Sequence, residues 1–441
     1  MRYIPHTDAD RREMLKTIGV SSIENLFEDI PPELRLQKQL NIPGSLDEYA
    51  LVRELSRISA ENLDPAETVS FLGAGVYEHY VPATVMELVS RGEFLTAYTP
   101  YQPEMSQGYL QTIYEFQSLI CEITGMDVAN ASMYDGATAA AEAVLMASGI
   151  NKRKRALVCD SLHPHYRECI RTFADSLEIE VTEAETRELA ALIDDETACV
   201  VVQYPDFYGR VRSPKPIIEA AQRHGALAIA VSEPVALGVL PPPGGMGADV
   251  MVGEAQPMGV PVGFGGPMVG YFCTKREFVR ALPGRIVGKT RDEKGRRGFV
   301  MTLRTREQDI RRERATSNIC TNQALMGLAV TVWMCALGRN GFRQLAETCV
   351  QKAHYAAKQL CRVPGVKLKW PEETFAFEFT LDVGLDAASA RDRMLERGYH
   401  AGLPLGPYSE DLRNCLLVAV TEVRTREEID GFATALAKVV N

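Results

Sequence analysis

The stretch in which an α/β enzyme often carries its reactive side chain has no lysine in this sequence. None occurs between Lys215 and Lys275, and the middle of that stretch is a glycine-rich loop, residues 259–266. Gln256 and Pro257 stand just before the loop. Because proline has no primary amine, it cannot capture a carbonyl group as a lysine does. A lysine-based covalent mechanism is therefore excluded at this place.

Other absences narrow the class of protein. The ten cysteines are scattered without a CxxC pair, which favours reduced thiols in a cytoplasmic protein over a disulfide framework or a zinc site. Residues 1–15 are charged and lack an apolar core, so we expect no signal peptide. The most apolar helical stretch, 324–338, is shorter than the roughly 20 residues of a membrane span, so we expect no membrane partner. The net charge of −10 argues against nucleic acid as a partner.

Strand and helix patterns alternate from Tyr109 to Val231. Short apolar runs, such as 198–204 and 226–231, are separated by amphipathic stretches of helical period. Such alternation predicts an α/β fold with a mostly parallel sheet covered by helices on both faces.

The chain divides into three predicted parts. Residues 1–62 read as helices joined by proline-rich turns, with Ser21 or Ser22 able to cap the second helix, and they resemble an arm packed on another surface. Residues 63–330 form a large α/β domain. The pattern changes beyond it, and residues 331–441 are predicted to form a smaller α/β domain.

The segment 95–108 is rich in tyrosine, proline and glutamine and shows no periodicity. Its side chains at Tyr98, Pro100, Tyr101 and Pro103 are stiff and closely spaced. A surface loop is the simplest interpretation. We favour a rigid, mostly buried loop or an interface.

Asp135–Thr138 follows a predicted strand and opens a predicted helix. The free N–H groups of a helix start suit a phosphate, with Gly136 allowing close approach and Thr138 offering a hydroxyl. Asp135 is equally an ordinary N-cap. The segment lacks the pattern that binds a nucleoside triphosphate.

Polar residues also follow two later strands. His163 and His165 could stack on a ligand or transfer a proton, or they could be structural; a metal pair is less favoured because no third ligand lies nearby in sequence. Ser232 and Glu233 end another strand. A carboxylate there could face a ring nitrogen or an amine, or could cap the following turn.

A glycine at a helix start, a histidine, an acidic strand end and a glycine-rich loop follow one another in the order typical of fold-type I pyridoxal-phosphate enzymes, but without their lysine. Four longer motifs narrow the resemblance: YTPYQPE at 98–104, YDGATAAAEA at 134–143, GEAQPMGVPVGFGGP at 253–267 and RRERATSNICTNQAL at 311–325. With these motifs the chain resembles the P-protein of the glycine cleavage system, and most closely the alpha subunit of its two-subunit form. The resemblance implies a mostly parallel seven-stranded sheet covered by helices.

The chain departs from the catalytic pattern of this family. The family's catalytic subunit has a His-Lys pair before the glycine-rich loop, and Gln256 and Pro257 occupy those two places. The aspartate expected to pair with the cofactor's ring nitrogen would fall in or just before 231–233, where none stands. His163, Gly136 and Thr138 remain as inherited scaffold. The resemblance therefore implies that this chain alone binds no cofactor.

The resemblance further implies an oxidoreductase complex of glycine catabolism. A second subunit of the same fold would hold pyridoxal 5'-phosphate, forming a heterodimer or a dimer of heterodimers with this chain. Together they would decarboxylate glycine, release CO2 and pass the aminomethyl group to the lipoyl group of H-protein. This chain would line the partner's cofactor site with residues from three segments: Tyr101 and Gln102, Gly263, Gly265 and Gly266, and Thr316, Ser317 and Asn318.

The segment from Arg285 to Thr316 holds eleven Lys and Arg against five Asp and Glu, in a chain that is acidic overall. A solvated loop and helix face is one interpretation. Nucleic-acid binding fits poorly because aromatic residues are not interleaved. The resemblance suggests a docking surface for the acidic H-protein.

Two other functions are open at the level of sequence. The chain could be a free-standing pyridoxal enzyme that uses a displaced lysine, such as Lys275 or Lys289. It could also be a structural or regulatory chain without a part in catalysis.

Overall fold

The structure, a computed structural model, describes residues 5–63, 68–263 and 265–440. The chain forms two compact units, Met1–Asp64 and Pro65–Asn441. The predicted boundary between a large and a small domain inside the second unit stays a prediction.

The N-terminal unit has fewer α-helices than the sequence suggests. The helix predicted after Ser21 or Ser22 is wrong, because only a short 3-10 turn forms there. The Asn25 side chain accepts a hydrogen bond from the Ser22 N–H at 3.1 Å, as at a helix start, but the turn ends at Phe27. The helices of this unit are α1 Asp8–Ile18 and α2 Glu48–Ser59, and its 3-10 turns are Glu24–Phe27 and Pro32–Leu34.

Within α1 and α2 no described residue is buried. Leu51, Leu55 and Ile58 follow one face of α2 at helical spacing, and all three are exposed. An apolar face of this kind is what an arm that packs on another surface requires. That role stays a prediction.

The second unit contains most of the regular structure. Its strands are β1 Val69–Ser70, β2 Val128–Ala129, β3 Arg155–Cys159, β4 Glu180–Ala184, β5 Thr197–Gln203, β6 Leu227–Val231, β7 Val250–Glu254, β8 Gly270–Thr274, β9 Ile286–Arg291, β10 Arg297–Thr302, β11 Lys367–Leu368, β12 Glu378–Asp382, β13 Tyr399–His400, β14 Leu403–Pro404 and β15 Cys415–Ala419. Its α-helices are α3 Ala83–Val89, α4 Gly92–Leu95, α5 Gln107–Thr124, α6 Gly136–Asn151, α7 Pro164–Asp175, α8 Leu189–Leu192, α9 Lys215–Arg223, α10 Gln308–Arg311, α11 Ala324–Leu360, α12 Ala387–Leu395 and α13 Arg426–Val440.

A seven-stranded sheet forms the centre of this unit. Its order is β2-β8-β7-β6-β5-β3-β4, and the four neighbouring pairs from β7 to β4 are parallel. The strand β8 runs antiparallel to both β7 and β2. The predicted mostly parallel, seven-stranded sheet is therefore confirmed.

Helix α6 packs on this sheet through small side chains. Ala139, Ala140, Ala143 and Ala147 are fully buried, so the helix can approach the strands closely. The sequences of β3, β5 and β6 are largely apolar because helices cover both faces of the sheet. This packing fixes the start of α6 at the carboxyl edge of the strands.

Two smaller sheets complete the unit. The strands β9 and β10 form an antiparallel hairpin, and Gln107 and Gln117 of α5 hydrogen-bond to its backbone. The C-terminal part has a four-stranded antiparallel sheet in the order β11-β12-β15-β14. Short β1 pairs in parallel with β13.

Helix α11 has the length and composition of a membrane span. Within it, Gly338 has a φ of 61° and divides the helix in two. Val330 and Trp333 are fully buried in the same core as the central sheet. The apolar face is therefore accounted for by packing inside the fold.

Candidate functional site

The site lies at the carboxyl edge of the central sheet, where α6 begins. Asp135 caps the helix, and its carboxylate accepts a hydrogen bond from the Thr138 N–H at 2.7 Å. A Cβ added to Gly136 would lie 2.0 Å from the Tyr166 hydroxyl and 2.8 Å from the Glu254 backbone nitrogen. The helix start predicted from the sequence is present, and it is tightly packed. We call residues 135–138 the cradle.

A carboxylate from the same chain fills the cradle. The last residue of β7, Glu254, accepts a hydrogen bond from the Gly136 N–H at 3.0 Å through one oxygen. The other oxygen accepts from the N–H groups of Gln256 and Val269, both at 2.9 Å. Burial raises the pKa of Glu254 to about 7. The carboxylate thus occupies the helix start at which a phosphate would bind.

His163 is built into the fold by hydrogen bonds from both ring nitrogens. Its Nδ1 accepts from the His165 N–H at 3.1 Å, which leaves Nε2 to donate to the Ala74 carbonyl at 2.9 Å. The ring meets the Phe207 ring edge-on, with centroids 4.9 Å apart. Burial lowers the pKa of His163 to about 4, so the ring is neutral. These contacts support the structural interpretation of this histidine.

The two residues in the place of the His-Lys pair face the interior of the chain. The Gln256 side chain accepts from the Tyr77 N–H and donates to the Tyr77 carbonyl, both at 3.1 Å, and donates to the Val260 carbonyl at 2.7 Å. Both Gln256 and Pro257 are buried. Gln256 therefore ties the start of the glycine-rich loop to a distant segment of backbone.

A cavity of about 20 Å³, which has room for one water molecule, lies at Glu233, the residue that follows Ser232 at the end of β6. Glu378 accepts hydrogen bonds there from the Tyr77 hydroxyl at 2.8 Å and the Ala74 N–H at 2.6 Å. Burial raises the pKa values of Glu233 and Glu378 to about 7. The polar side chains of the lining are those of Tyr77, Gln203, Asp206, Glu233 and Glu378.

These residues do not fit pyridoxal phosphate. Pockets for ligands of that size span roughly 300–1,000 Å³, far more than this cavity. The phosphate place is taken by Glu254, and Pro257 supplies no amine. Glu233 accepts from the Val235 and Ala236 N–H groups at 3.0 and 2.6 Å, so it caps the following turn.

The displaced lysines lie elsewhere. Lys275 pairs with Asp249 at 2.5 Å, just before the first residue of β7, whereas Glu254 is the last residue of that strand. Lys289 is exposed on β9. The geometry gives no support to a free-standing pyridoxal enzyme that uses either lysine.

One buried cluster in the described residues brings together atoms that could hold a metal ion. The ligand atoms of His79, Cys349 and Glu422 lie within 4.8 Å of one another. The Nδ1 of His79 is 2.6 Å from Glu422, and the Cys349 thiol donates to the same carboxylate at 3.2 Å. This hydrogen bonding accounts for the cluster without an ion.

The residues predicted to line a partner's site are mostly exposed. The loop at 98–103 is not mostly buried as favoured above: Pro100 is buried, but Tyr98, Tyr101 and Gln102 are exposed, which leaves the surface-loop and interface interpretations. The Tyr98 and Tyr101 rings lie on the surface because no neighbouring segment among the described residues packs over them. The Arg285 guanidinium lies 5.7 Å from the centre of the Tyr101 ring.

The described residues of the other two predicted segments, 263–266 and 316–318, are also largely exposed. Gly263 and Gly265 are exposed, Gly266 is partly buried, and Gly265 has a φ of 87° with open space around it. Thr316 and Asn318 are exposed.

Two contacts position the first and third of these segments. Ser317 donates to the buried Glu142 of α6 at 2.9 Å. The Tyr98 hydroxyl lies 2.9 Å from that of Thr321, which brings the first and third segments together. The role of all eight residues toward a partner stays a prediction.

Sequence reasoning missed the role of Glu254 and the contribution of Glu378. Glu254 meets Gly136 across 118 residues of chain, and Glu378 meets Tyr77 across 301. A weak signal for Glu378 is present in the run FEF at 377–379, where an acidic residue interrupts a buried strand.

Comparison with known proteins agrees with this architecture. The family described as "Glycine cleavage system P-protein" matches residues 1–436. A protein of Geobacillus kaustophilus named "Probable glycine dehydrogenase (decarboxylating) subunit 1" is 50% identical, covering 99% of this chain and 98% of its own. A protein of the same name from Desulforamulus reducens is 46% identical, covering 100% of both chains.

Solved structures give the same result. A crystal structure of glycine decarboxylase (P-protein) of the glycine cleavage system, in inhibitor-bound form, has a TM-score of 0.90 and 43% identity over 100% of both chains. A glutamate decarboxylase of Lactobacillus brevis has a TM-score of 0.65 at 13% identity, covering 93% of this chain and 97% of its own, and shows the fold alone. The predicted fold-type I architecture is confirmed, and the chain belongs to the P-protein family of the glycine cleavage system.

Proposed function

We propose that this chain is the subunit without its own cofactor in a two-subunit glycine decarboxylase. Its partner, a catalytic subunit of the same fold, holds pyridoxal 5'-phosphate. The complex decarboxylates glycine, releases CO2 and passes the aminomethyl group to the lipoyl group of H-protein. The complex is a heterodimer or a dimer of heterodimers in the cytoplasm.

The observation that carries this proposal is the Glu254 carboxylate in the cradle. It takes the Gly136 N–H that a cofactor phosphate would need, and it does so from the strand that leads to Gln256 and Pro257. The site is therefore closed at its phosphate end and lacks the amine at its other end. Decarboxylation of an amino acid needs an electron sink, which a pyridoxal cofactor in the partner supplies.

This chain contributes surface to the partner's site. The glycine-rich loop exposes backbone at Gly263 and Gly265, where a side chain would limit the approach of a second chain. Tyr101 and Gln102 are exposed as well, and so are Thr316 and Asn318. These groups orient or enclose the partner's cofactor and glycine without entering the chemistry as catalytic residues.

The hairpin of β9 and β10 supplies the surface that suits H-protein. It carries Arg291, Arg296 and Arg297 around a groove of about 620 Å³ beside α5. Arg296 pairs with Asp292 at 2.7 Å and is 74% exposed. An exposed basic surface attracts an acidic carrier and raises the rate of encounter.

The test is an activity assay of the partner with and without this chain, with glycine and lipoylated H-protein as substrates. We expect release of CO2 from the carboxyl group of glycine only from the complex. Full activity of the partner alone would overturn the proposal and leave a structural or regulatory role. Activity of this chain alone would also overturn the proposal, because the chain would then have an active site of its own.

A further inference from the structure

A second pocket, away from the cradle, is lined by arginines. It has a volume of about 160 Å³ and lies where the segment 303–316 folds against Arg280. Its described lining includes no carboxylate. The polar residues that line it are Arg280, Arg306, Arg311, Arg314, Thr305 and Thr316. We call this the arginine pocket.

Arg306 is the buried member of the arginine pocket, with 7% of its surface exposed. Its Nε donates to the Leu303 carbonyl at 3.1 Å, and its terminal nitrogens donate to the carbonyls of Gly284, at 2.9 Å, and Leu282. Carbonyl dipoles therefore hold the guanidinium in place without neutralising its charge. The carboxylate next to it in sequence, Glu307, lies 3.5 Å from Arg285. Burial lowers the pKa of Arg306, and the charge of Glu307 offsets only part of that lowering.

The other carboxylates of the segment leave the pocket positively charged. Asp309 pairs with Arg304, which does not line the pocket, at 2.5 Å. Glu313 lies 3.8 Å from Arg314, with both side chains about four-fifths exposed, so that solvent screens the pair. Arg311 donates its Nε to the Thr305 carbonyl at 3.1 Å. Four arginines and two threonines thus line the pocket, and its described lining includes no carboxylate.

We propose that the arginine pocket binds a phosphate group. Guanidinium groups match the oxygens of a phosphate with paired hydrogen bonds, and two negative charges offset the cluster better than one carboxylate does. The two threonine hydroxyls offer further donors. A tetrahedral phosphate fits in the volume, with room for the atom that carries it.

The phosphate can come from two sources. One is a small phosphorylated molecule or inorganic phosphate bound to this chain from solution. The other is the phosphate of the cofactor in the partner, a source that rests on the proposed function. The binding site itself does not rest on it, because the arginines belong to this chain.

The first experiment measures the melting temperature of the full chain with increasing inorganic phosphate, against potassium chloride of equal ionic strength. We expect phosphate to stabilise the wild type increasingly with concentration. Arg280→Gln and Arg311→Gln should each weaken the phosphate affinity about tenfold or more, as loss of a charge-assisted hydrogen bond would. Arg304→Gln, a neighbour outside the pocket, should respond like the wild type.

Two results would overturn the proposal. One is a wild type that phosphate stabilises no more than chloride does. The other is an equal response of the wild type, the two pocket variants and Arg304→Gln, which would mean that phosphate binds elsewhere.

The second experiment identifies the source by measuring how much pyridoxal phosphate the purified complex retains. Lower retention with Arg280→Gln and Arg311→Gln than with Arg304→Gln would assign the site to the partner's cofactor. Unchanged retention, together with lost response to inorganic phosphate, would assign it to a free phosphorylated molecule. The first experiment needs no partner, so failure of the proposed function would not affect its outcome.

Discussion

The cradle and the arginine pocket are both suited to anions, but they differ in what already occupies them. In the cradle, the Glu254 carboxylate accepts hydrogen bonds from three backbone N–H groups. In the arginine pocket, Arg306 is held by carbonyls, and the described lining provides no carboxylate. The cradle is closed by its own chain, and the pocket is left with unmatched charge.

This difference shows why the motif at a helix start does not by itself identify a ligand. The segment DGAT at 135–138 is a phosphate-type turn, yet its free donor is satisfied from within. A site can take an anion when the fold leaves its positive charge without a matching carboxylate. The described lining of the arginine pocket carries four arginines and no carboxylate, so this pocket is the better candidate for an anion on this chain.

The substitution with the largest expected effect tests how tightly the cradle is packed. Gly136→Ala should destabilise the chain by about 1–3 kcal/mol, because the new methyl group would overlap Tyr166 and the backbone at Glu254. Gly149→Ala, in the same helix but in open space, should instead stabilise it by about 0.5–1 kcal/mol. Urea unfolding measures both. Equal effects of the two substitutions would mean that the cradle has room.

Features of the fold and the site could be predicted from the sequence where the residues that form them are close together in the chain. The apolar runs that became β5 and β6 were located to within a residue or two, because a buried strand must be apolar on both faces. The helix start at Gly136 followed from Asp135 as its cap. These features depend on neighbours in sequence.

The rest depends on long-range contacts. Nothing near Glu254 indicates that its carboxylate reaches Gly136, and nothing near Gln256 indicates its pairing with the Tyr77 backbone. The hairpin of β9 and β10 was missed as well, because charge conceals its alternation and α5 fixes it through two glutamines. The apolar face of α2 and the tyrosines at 98 and 101 are exposed, and their role in an interface with a second chain stays a prediction.

The second prediction concerns the basic hairpin. Arg296→Glu combined with Arg297→Glu should weaken the apparent affinity for H-protein about tenfold at low salt, since surface charge acts on encounter and is screened by ions. The turnover rate at saturating H-protein should change little. Arg187→Glu combined with Arg343→Glu, at exposed arginines elsewhere, is the matched control. An unchanged affinity in the hairpin variant would leave the solvated-loop interpretation.

The third prediction concerns the glycine-rich loop. Gly265→Ala should lower cofactor retention by the complex severalfold, because the new side chain would stand between the two chains. Gly295→Ala is matched to it, since both glycines have a positive φ and open space around them, so that the backbone strain is similar. Size-exclusion chromatography would check that both complexes assemble. Equal retention would mean that the loop has only an internal role.

The fourth prediction concerns the pH dependence of stability. Burial raises the pKa of Glu254 from its ordinary 4.5 to about 7, so the folded chain holds a proton that the unfolded chain releases. The associated stabilisation is complete below about pH 4.5 and is lost as the pH rises to about 7. Between about pH 5 and 8 the wild type should therefore lose roughly 2–3 kcal/mol of unfolding free energy that Glu254→Gln does not lose.

The control for this pH experiment is Glu396→Gln, at an exposed glutamate. Urea unfolding at a series of pH values gives the slopes for the three proteins. Identical slopes in the wild type and in Glu254→Gln would show that the cradle carboxylate is ionised in both folded and unfolded chains.

The most direct test of the account is whether the purified chain can hold pyridoxal phosphate. The chain alone and the chain with its partner should each be isolated, treated with borohydride and digested, and each lysine then examined for a stoichiometric pyridoxyl group. We predict no such label and no cofactor absorption band in the chain alone, whereas the complex carries one label on a partner lysine. Stoichiometric labelling of any lysine of this chain would contradict the account.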